Sequence, residues 1–321
     1  MTVRLGRLGK VALAAGVTVA LMTGCGVLGA DPAPAAPQAA GPATSYAGVA
    51  FLDDLDFGAP DGTRLDVCLP EEHRAAQAAR PENPGAQALP AILSVHGGGW
   101  RRGDKQAALW RDVCGWLASE GFVVFQTNYR LAPEHPYPAA LDDVQAAARW
   151  IRAAPQLARF GLDPARLGAF GDSAGGNLAA LLATQGDGDT TIDSRVSAVV
   201  ALSAPIDLTA AGIELGGLEP GFQRIQLDYL GCASYDECPN AESASPLYQI
   251  DSSDPPFFIA HSSDELIPIE QAEAFVDALD AASVDVTYVP VTGTDHALAL
   301  LDNPLREQIA AWLRDRLRAR P

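Results

Sequence analysis

The sequence predicts an α/β fold in which helices cover both faces of a mostly parallel sheet. Short apolar runs alternate along the chain with segments whose apolar residues recur at helical spacing. With 321 residues, of which 48% are hydrophobic and 19% charged, the chain is long enough to bury the core of such a sheet. Strand followed by helix, repeated several times, is typical of this architecture.

The chain begins with a segment typical of export. In residues 1–24 three basic residues precede an apolar run, 11–22, that is too short to span a membrane stably. This pattern predicts a signal peptide. The run ends in small residues before Cys25, which resembles a bacterial lipobox and predicts lipidation of Cys25. The protein is therefore expected outside the cytoplasm, anchored to the membrane through that lipid, or secreted if Cys25 is not lipidated.

The remainder divides into a linker and one folded domain. Residues 25–47 are rich in Ala, Pro and Gly and carry few large apolar side chains, so they predict a flexible tether. Residues 48–321 are predicted to form the folded domain. A net charge of −18 excludes nucleic acid as a partner, because its phosphates would be repelled.

Four cysteines follow Cys25, and an oxidising exterior favours their pairing. Cys232 and Cys238 are close enough to close a small loop, which would leave Cys68 to pair with Cys114. Four cysteines allow three connectivities, and the sequence alone does not choose among them.

The pattern gives the following order of elements. The first two strands surround the turn Pro60-Asp61-Gly62, as in a hairpin, and residues 71–90 are expected to form a surface loop. Residues 206–250, rich in Gly, Ser and Pro, interrupt the alternation between two core strands and predict a small cap over the carboxyl ends of the sheet. The predicted strands are 49–57, 63–69, 91–95, 122–127, 166–170, 196–202, 256–260 and 284–291, and the predicted helices are 107–119, 139–153, 174–184, 269–281 and 304–318.

The segment Gly171-Asp172-Ser173-Ala174-Gly175 matches the pattern of a nucleophile elbow. It directly follows one predicted strand and leads into a predicted helix, which is the context that a G-x-S-x-G motif requires. Glycines on either side allow the sharp turn that exposes the serine Oγ. Ser173 is therefore the candidate nucleophile, and Asp172 beside it is expected to contact the substrate.

A second glycine-rich loop, His96-Gly97-Gly98-Gly99-Trp100, follows the third predicted strand. Such a loop supplies backbone N–H groups to an oxyanion, and we expect the donors to be Gly97 and Gly98 together with Ala174. His96 is expected to brace the loop. Trp100 is assigned to substrate binding, although packing alone would explain it equally well.

The acid and the base of a triad are expected downstream of the serine, each in a loop after a strand. The strand 256–260 leads to Asp264, and the strand 284–291 leads to His296. Ser173, Asp264 and His296 form the predicted triad. Glu265 and Asp295 are the competing carboxylates, and His261 and His135 are alternative bases.

These motifs resemble those of the bacterial esterase branch of the α/β-hydrolases, which includes the hormone-sensitive-lipase-like and BD-FAE-like groups. The resemblance also rests on Trp100-Arg101-Arg102-Gly103-Asp104-Lys105 and on Asn128-Tyr129-Arg130-Leu131-Ala132-Pro133-Glu134, and it runs from about Ala50 to the C-terminus. It implies an eight-stranded, mostly parallel sheet and no cofactor. The modest insertion and the lack of a helical N-terminal cap favour the BD-FAE-like side.

Together the motifs predict a serine carboxylesterase that acts on small or carbohydrate-linked acyl esters through an acyl-enzyme. An arylformamidase-like amidase is the alternative, because the same triad cleaves activated amides. A catalytically silent binding protein is disfavoured, since every part of the machinery is present. No spacing in the sequence suggests a metal site.

Overall fold

The structure is a computed structural model, and it describes residues 46–79 and 88–319. The predicted signal peptide, the candidate lipidation site Cys25 and nearly all of the predicted tether lie outside the described residues. The described part of the chain contains no helix that is long and apolar enough to cross a membrane.

Eight strands form one twisted sheet in the order β1-β2-β4-β3-β5-β6-β7-β8. The pairs β1–β2 and β2–β4 are antiparallel, and all the others are parallel. The strands are β1 Val49–Asp56, β2 Arg64–Pro70, β3 Leu89–Val95, β4 Val123–Thr127, β5 Leu162–Asp172, β6 Val199–Leu202, β7 Phe257–Ser262 and β8 Val286–Val291. Both the fold class and the opening hairpin predicted from the sequence are confirmed.

The helices of the described residues lie between and after these strands. They are α1 Glu71–Ala79, α2 Ala108–Ser119, α3 Ala139–Arg152, α4 Ala154–Phe160, α5 Ser173–Thr184, α6 Ala210–Glu214, α7 Pro220–Leu230, α8 Ile269–Ala281 and α9 Asn303–Arg316. All five predicted helices are present within two residues of the expected ends. The prediction that residues 71–90 form a loop is wrong in part, because the first nine residues of that stretch form α1.

The sheet separates two hydrophobic clusters, one on each face. Strand residues such as Ile92, Val124 and Phe170 are fully buried, as expected for a parallel sheet covered on both sides. A disulfide between Cys68 and Cys114 joins β2 to α2 across one of these clusters. The core thus holds the carboxyl ends of the parallel strands at a single edge.

The predicted cap forms the long connection between β6 and β7. It contains the short helix α6, the helix α7 and a disulfide between Cys232 and Cys238 that closes the loop after α7. The amide of Asn177 on α5 donates to the carbonyls of Pro205 and Ala244, at 3.1 Å each, and so ties both ends of the connection to the helix behind the elbow. Both disulfide pairings favoured from the sequence are present.

Candidate active site

Ser173 stands at the junction of β5 and α5 in a strained backbone conformation. Its φ is +47°, in the left-handed region that residues with a Cβ rarely adopt. The turn is tight enough that a Cβ on Gly171 would come within 2.2 Å of the Gly175 carbonyl oxygen, and one on Gly175 within 2.1 Å of the Val95 carbonyl oxygen. Glycine is therefore required at both positions, and the strand-turn-helix elbow predicted from the sequence is formed.

The glycine loop after β3 is also shaped by glycine. Gly98 has φ +121°, and a Cβ there would lie 2.1 Å from the carbonyl oxygen of Arg102. His96 at the base of the loop is 1% exposed and stacks on the Tyr129 ring at 4.3 Å, while the Tyr129 hydroxyl donates to the His96 carbonyl at 2.8 Å. Burial lowers the pKa of His96, so its ring is neutral. His96 braces the loop, as expected.

Asp172 links the elbow to the histidine loop. Its side chain accepts the Leu298 N–H at 3.1 Å, and the Cα of Gly97 lies close to the carboxylate. Burial raises the pKa of Asp172 to about 7, although the charge of His296 and nearby backbone N–H groups act in the opposite direction. Asp172 is 4% exposed, similar to the 5% of Ser173, and its contact with the substrate stays a prediction.

The Cα of Gly97 lies so close to Asp172 that a Cβ there would be 2.5 Å from the carboxylate. Gly97, Gly98 and Gly99 are all half-buried in the loop. The N–H of Ala174 lies in the first turn of α5, where it has no partner within the helix. The oxyanion donors expected from the sequence, Gly97, Gly98 and Ala174, stay a prediction.

Glu265, and not Asp264, contacts the histidine. The Glu265 carboxylate accepts a hydrogen bond from His296 Nδ1, and its side chain is 0% exposed. Asp264 is exposed, and its backbone N–H donates to the Gly293 carbonyl at 3.0 Å. The prediction of Asp264 as the triad acid is wrong, because neighbouring residues in an extended loop point in opposite directions and the inward position belongs to Glu265.

The loop that carries His296 is also held by hydrogen bonds from its two following backbone N–H groups. The N–H of Ala297 donates to the Ser203 hydroxyl at 2.9 Å, and Leu298 donates to Asp172 as described above. These bonds bring the histidine loop to the residue that precedes Ser173. Because Nδ1 faces a carboxylate, it carries the ring proton, which leaves Nε2 free to accept one.

The carboxylate of Glu265 is ionised despite its burial. Desolvation raises the pKa of Glu265, but hydrogen bonds from His261 and His296 outweigh it and hold the pKa well below that of an ordinary glutamate. A buried anion next to Nδ1 fixes the imidazole tautomer and stabilises the imidazolium when Nε2 takes up a proton.

Trp100 packs and does not face the site. Its ring is 0% exposed and stacks on Tyr229 of α7 at 4.3 Å with an interplanar angle of 5°. Phe222, near the start of the same helix, is also close to Trp100, with the two ring centroids 6.2 Å apart. The assignment of Trp100 to substrate binding is wrong, since its stacking partners in the cap enclose it completely.

This stacking sets helix α7 directly on the glycine loop. Ile225 of α7 is half-buried, and a Cβ on Gly99 would lie 2.9 Å from its Cγ2 methyl. Asp228 reaches the other end of the loop through a 3.8 Å ion pair with Arg101. The aliphatic side chain of Ile225 therefore forms a wall beside the glycine loop.

The sequence pattern left two of these residues out of the site. Glu265 appeared only as a competitor of its neighbour, and Ile225 carried no local signal because its role depends on how α7 docks. Within residues 46–79 and 88–319, no group of three or more His, Cys, Asp or Glu side chains could hold a metal ion.

Comparison with known proteins agrees with this geometry. The BD-FAE family model matches residues 79–279, which is more than half of the chain. Among curated proteins of Mycobacterium tuberculosis, the esterase LipC is 32% identical over 72% of this chain and 59% of its own length. The esterase LipQ is 28% identical over 87% of this chain and 64% of its own length. The chain thus spans about three fifths of the length of these relatives.

Solved structures share the fold over most of the chain. A carbohydrate esterase from gut microbiota has a TM-score of 0.69 at 22% identity and covers 84% of this chain and 97% of its own. An acetyl ester-xyloside bifunctional hydrolase from Caldicellulosiruptor lactoaceticus has a TM-score of 0.62 at 26% identity, over 81% and 90% of the two chains. With the elbow, the glycine loop and the histidine loop at one edge of the same sheet, this chain belongs to the BD-FAE family of α/β-hydrolases.

Proposed function

We propose that this protein is a serine carboxylesterase with Ser173, His296 and Glu265 as its triad. The observation that carries the proposal is the convergence of an elbow serine, a glycine loop and a carboxylate-bound histidine at the carboxyl ends of β5, β3, β7 and β8. Relatives described as esterases support it.

The proposed reaction proceeds through an acyl-enzyme. His296 Nε2 takes the proton of Ser173 as the serine Oγ bonds to the ester carbonyl carbon. The negative oxygen of the tetrahedral intermediate accepts hydrogen bonds from the backbone N–H groups of Gly97, Gly98 and Ala174. When the intermediate collapses, the C–O bond to the alcohol breaks and the leaving alkoxide takes the proton from His296. Water then repeats the sequence and releases the carboxylic acid and free serine.

Short acyl esters are the substrates that the site favours. The aliphatic wall formed by Ile225 lies against Gly99, so groups bonded to the carbonyl carbon have little room on that side. Two structural relatives are described as a carbohydrate esterase and as an acetyl ester-xyloside hydrolase. We therefore propose acetyl or similarly small acyl groups, including those carried on carbohydrate, as the natural substrate class.

Activated amides form a second candidate class. Arylacetamide deacetylase of Bos taurus is 40% identical to this chain over 112 residues, which cover 34% of this chain and 28% of that protein. The same acyl-enzyme route would release an aromatic amine in place of an alcohol. Comparing an acetanilide with phenyl acetate at equal concentration measures which leaving group the enzyme prefers.

The test of the esterase proposal uses p-nitrophenyl acetate and butyrate with the wild type and Ser173→Ala. We expect turnover by the wild type and a loss of about three or more orders of magnitude in kcat for the variant. Equal activity of the two folded proteins, shown to be folded by circular dichroism, would refute the assignment of Ser173. Acetylated xylan then serves as a carbohydrate-linked substrate, with acetate release as the readout.

We also propose that the mature protein begins at Cys25 and carries lipid there. The basic and apolar leader that ends in small residues before this cysteine supports the proposal. Mass spectrometry of the N-terminal peptide from a bacterial host, with Cys25→Ala as the control, tests it. An unmodified Cys25 in the mature protein would refute lipidation.

A further inference from the structure

Glu265 is held by two histidines, and the proposed mechanism uses only one of them. His261, near the carboxyl end of β7, is 0% exposed and has its Nε2 atom 2.8 Å from Glu265 Oε1. The same nitrogen lies 2.8 Å from the carbonyl oxygen of Ile267. His261 therefore touches the carboxylate from the side opposite His296, which binds Oε2.

The protonation of His261 follows from its neighbours. Both atoms near Nε2 are acceptors, so this nitrogen carries a proton. Its N–H donates to the Ile267 carbonyl, which fixes the plane of the ring and holds the same nitrogen 2.8 Å from Glu265 Oε1. Because the side chains of His261 and Glu265 are at most 1% exposed, water does not screen this polar contact.

His261 has no route to the reacting atoms. It is completely enclosed, and its donor nitrogen is turned to Glu265 and Ile267 and away from the loop of His296. A role as the catalytic base, which the sequence left open, is therefore excluded by the structure. Its effect on catalysis must pass through Glu265.

We propose that His261 is a positioning residue that sets the orientation and the basicity of Glu265 during catalysis. The proposal rests on the esterase function proposed above. Through its 2.8 Å contact with Oε1, His261 turns Oε2 toward His296 and offsets part of the negative charge that Glu265 offers to the imidazolium. The lowered negative charge limits how strongly Glu265 holds the proton on His296, so that His296 can release it to the leaving group.

The charged groups around this pair are few. His261 from β7 and His296 from the loop after β8 face Glu265, while Asp172 from the end of β5 acts on His296. Asp264 beside Glu265 is exposed. Removing the donor of His261 leaves the full carboxylate charge for His296, so the acid limb of the pH–rate profile is expected to move to higher pH.

The test measures kcat, KM and the pH dependence of kcat/KM with p-nitrophenyl acetate for His261→Leu and His261→Gln. Loss of the buried polar contact with the Glu265 charge is expected to lower kcat about tenfold in His261→Leu, with KM within about twofold of the wild type. The acid limb of the pH dependence of kcat/KM should move to higher pH in His261→Leu. In His261→Gln the amide is expected to reach Glu265 Oε1, and this variant should recover most of kcat and the acid limb of the wild type.

A matched control is His73 on α1, which is 8% exposed and has its Nε2 atom 2.8 Å from the Phe160 carbonyl oxygen, far from the site. His73→Leu removes a comparable buried bond and is expected to leave kcat and the pH profile unchanged. If His261→Leu does not fold, as judged by circular dichroism, His261→Asn replaces it, because its shorter amide does not reach Glu265.

The outcomes separate this inference from the esterase proposal. If the wild type is active, Ser173→Ala is inactive, and His261→Leu keeps both kcat and the acid limb of the wild type, the positioning role is refuted and the triad stands. An equal loss in His261→Leu and His261→Gln with an unmoved acid limb would also refute it, since only packing would then matter. If Ser173→Ala is as active as the wild type, the esterase proposal itself fails.

Discussion

Replacing Glu265 by Gln distinguishes the two adjacent carboxylates of the acid loop. Glu265→Gln keeps the size of the side chain but removes its negative charge. That charge is contacted by His261 and His296, and the Glu265 side chain is 0% exposed. The carboxylate accepts one hydrogen bond, from His296, and a hydrogen bond to a charged group contributes about 1.5–3 kcal/mol. At 1.36 kcal/mol per factor of ten, kcat is expected to fall by about one to two orders of magnitude if this cost falls on the transition state.

The matched variant is Asp264→Asn, one residue earlier in the same loop. Its side chain is exposed, so kcat is expected to stay within about threefold of the wild type. Both variants are assayed with p-nitrophenyl acetate at saturating substrate near pH 8, after their folding has been compared by circular dichroism. A loss in Asp264→Asn as large as that in Glu265→Gln would refute the assignment of the acid from the structure.

Three further predictions concern stability and specificity. Because the raised pKa of Asp172, about 7, penalises its charged form, the free energy of unfolding of the wild type should fall relative to Asp172→Asn as the pH rises from about 4 to 7. The difference is expected to reach at most about 4 kcal/mol by urea denaturation, and a difference independent of pH would contradict it. Because Ile225 narrows the space beside Gly99, Ile225→Ala should raise the ratio of kcat/KM for p-nitrophenyl hexanoate over p-nitrophenyl acetate about tenfold. Leu227 is half-buried on another side of α7, so Leu227→Ala should leave this ratio unchanged. The bridge between Cys68 and Cys114, 46 residues apart, should contribute about 2–4 kcal/mol, so a double serine variant should melt at a lower temperature, and an unchanged melting temperature would count against that contribution.

The local sequence was sufficient for the framework of the site. The elbow at Ser173 could be predicted because its glycines, the strand before it and the helix after it all lie within one continuous segment. The same reasoning located the glycine loop after β3 and placed His296 after the last strand. Periodicity also gave all eight strands and the five long helices, since buried strands and amphipathic helices leave distinct patterns.

The choice between neighbouring residues required the tertiary structure. Asp264 and Glu265 have similar chemistry and adjacent positions, and only the path of the loop after β7 shows which carboxylate points inward to His261 and His296. The close approach of Gly97 to the Asp172 carboxylate is likewise a contact between two separate loops that the sequence does not show.

The sequence by itself determined the α/β fold and predicted the nucleophile and the base, because each depends on a pattern within a few consecutive residues. Only the tertiary structure showed which carboxylate contacts His296, how Trp100 packs against Tyr229 and that Ile225 forms a wall beside Gly99. These contacts join segments that are far apart in the chain. Their geometry depends on how the cap and the loops pack at the edge of the sheet, and a pattern of neighbouring residues does not predict that packing.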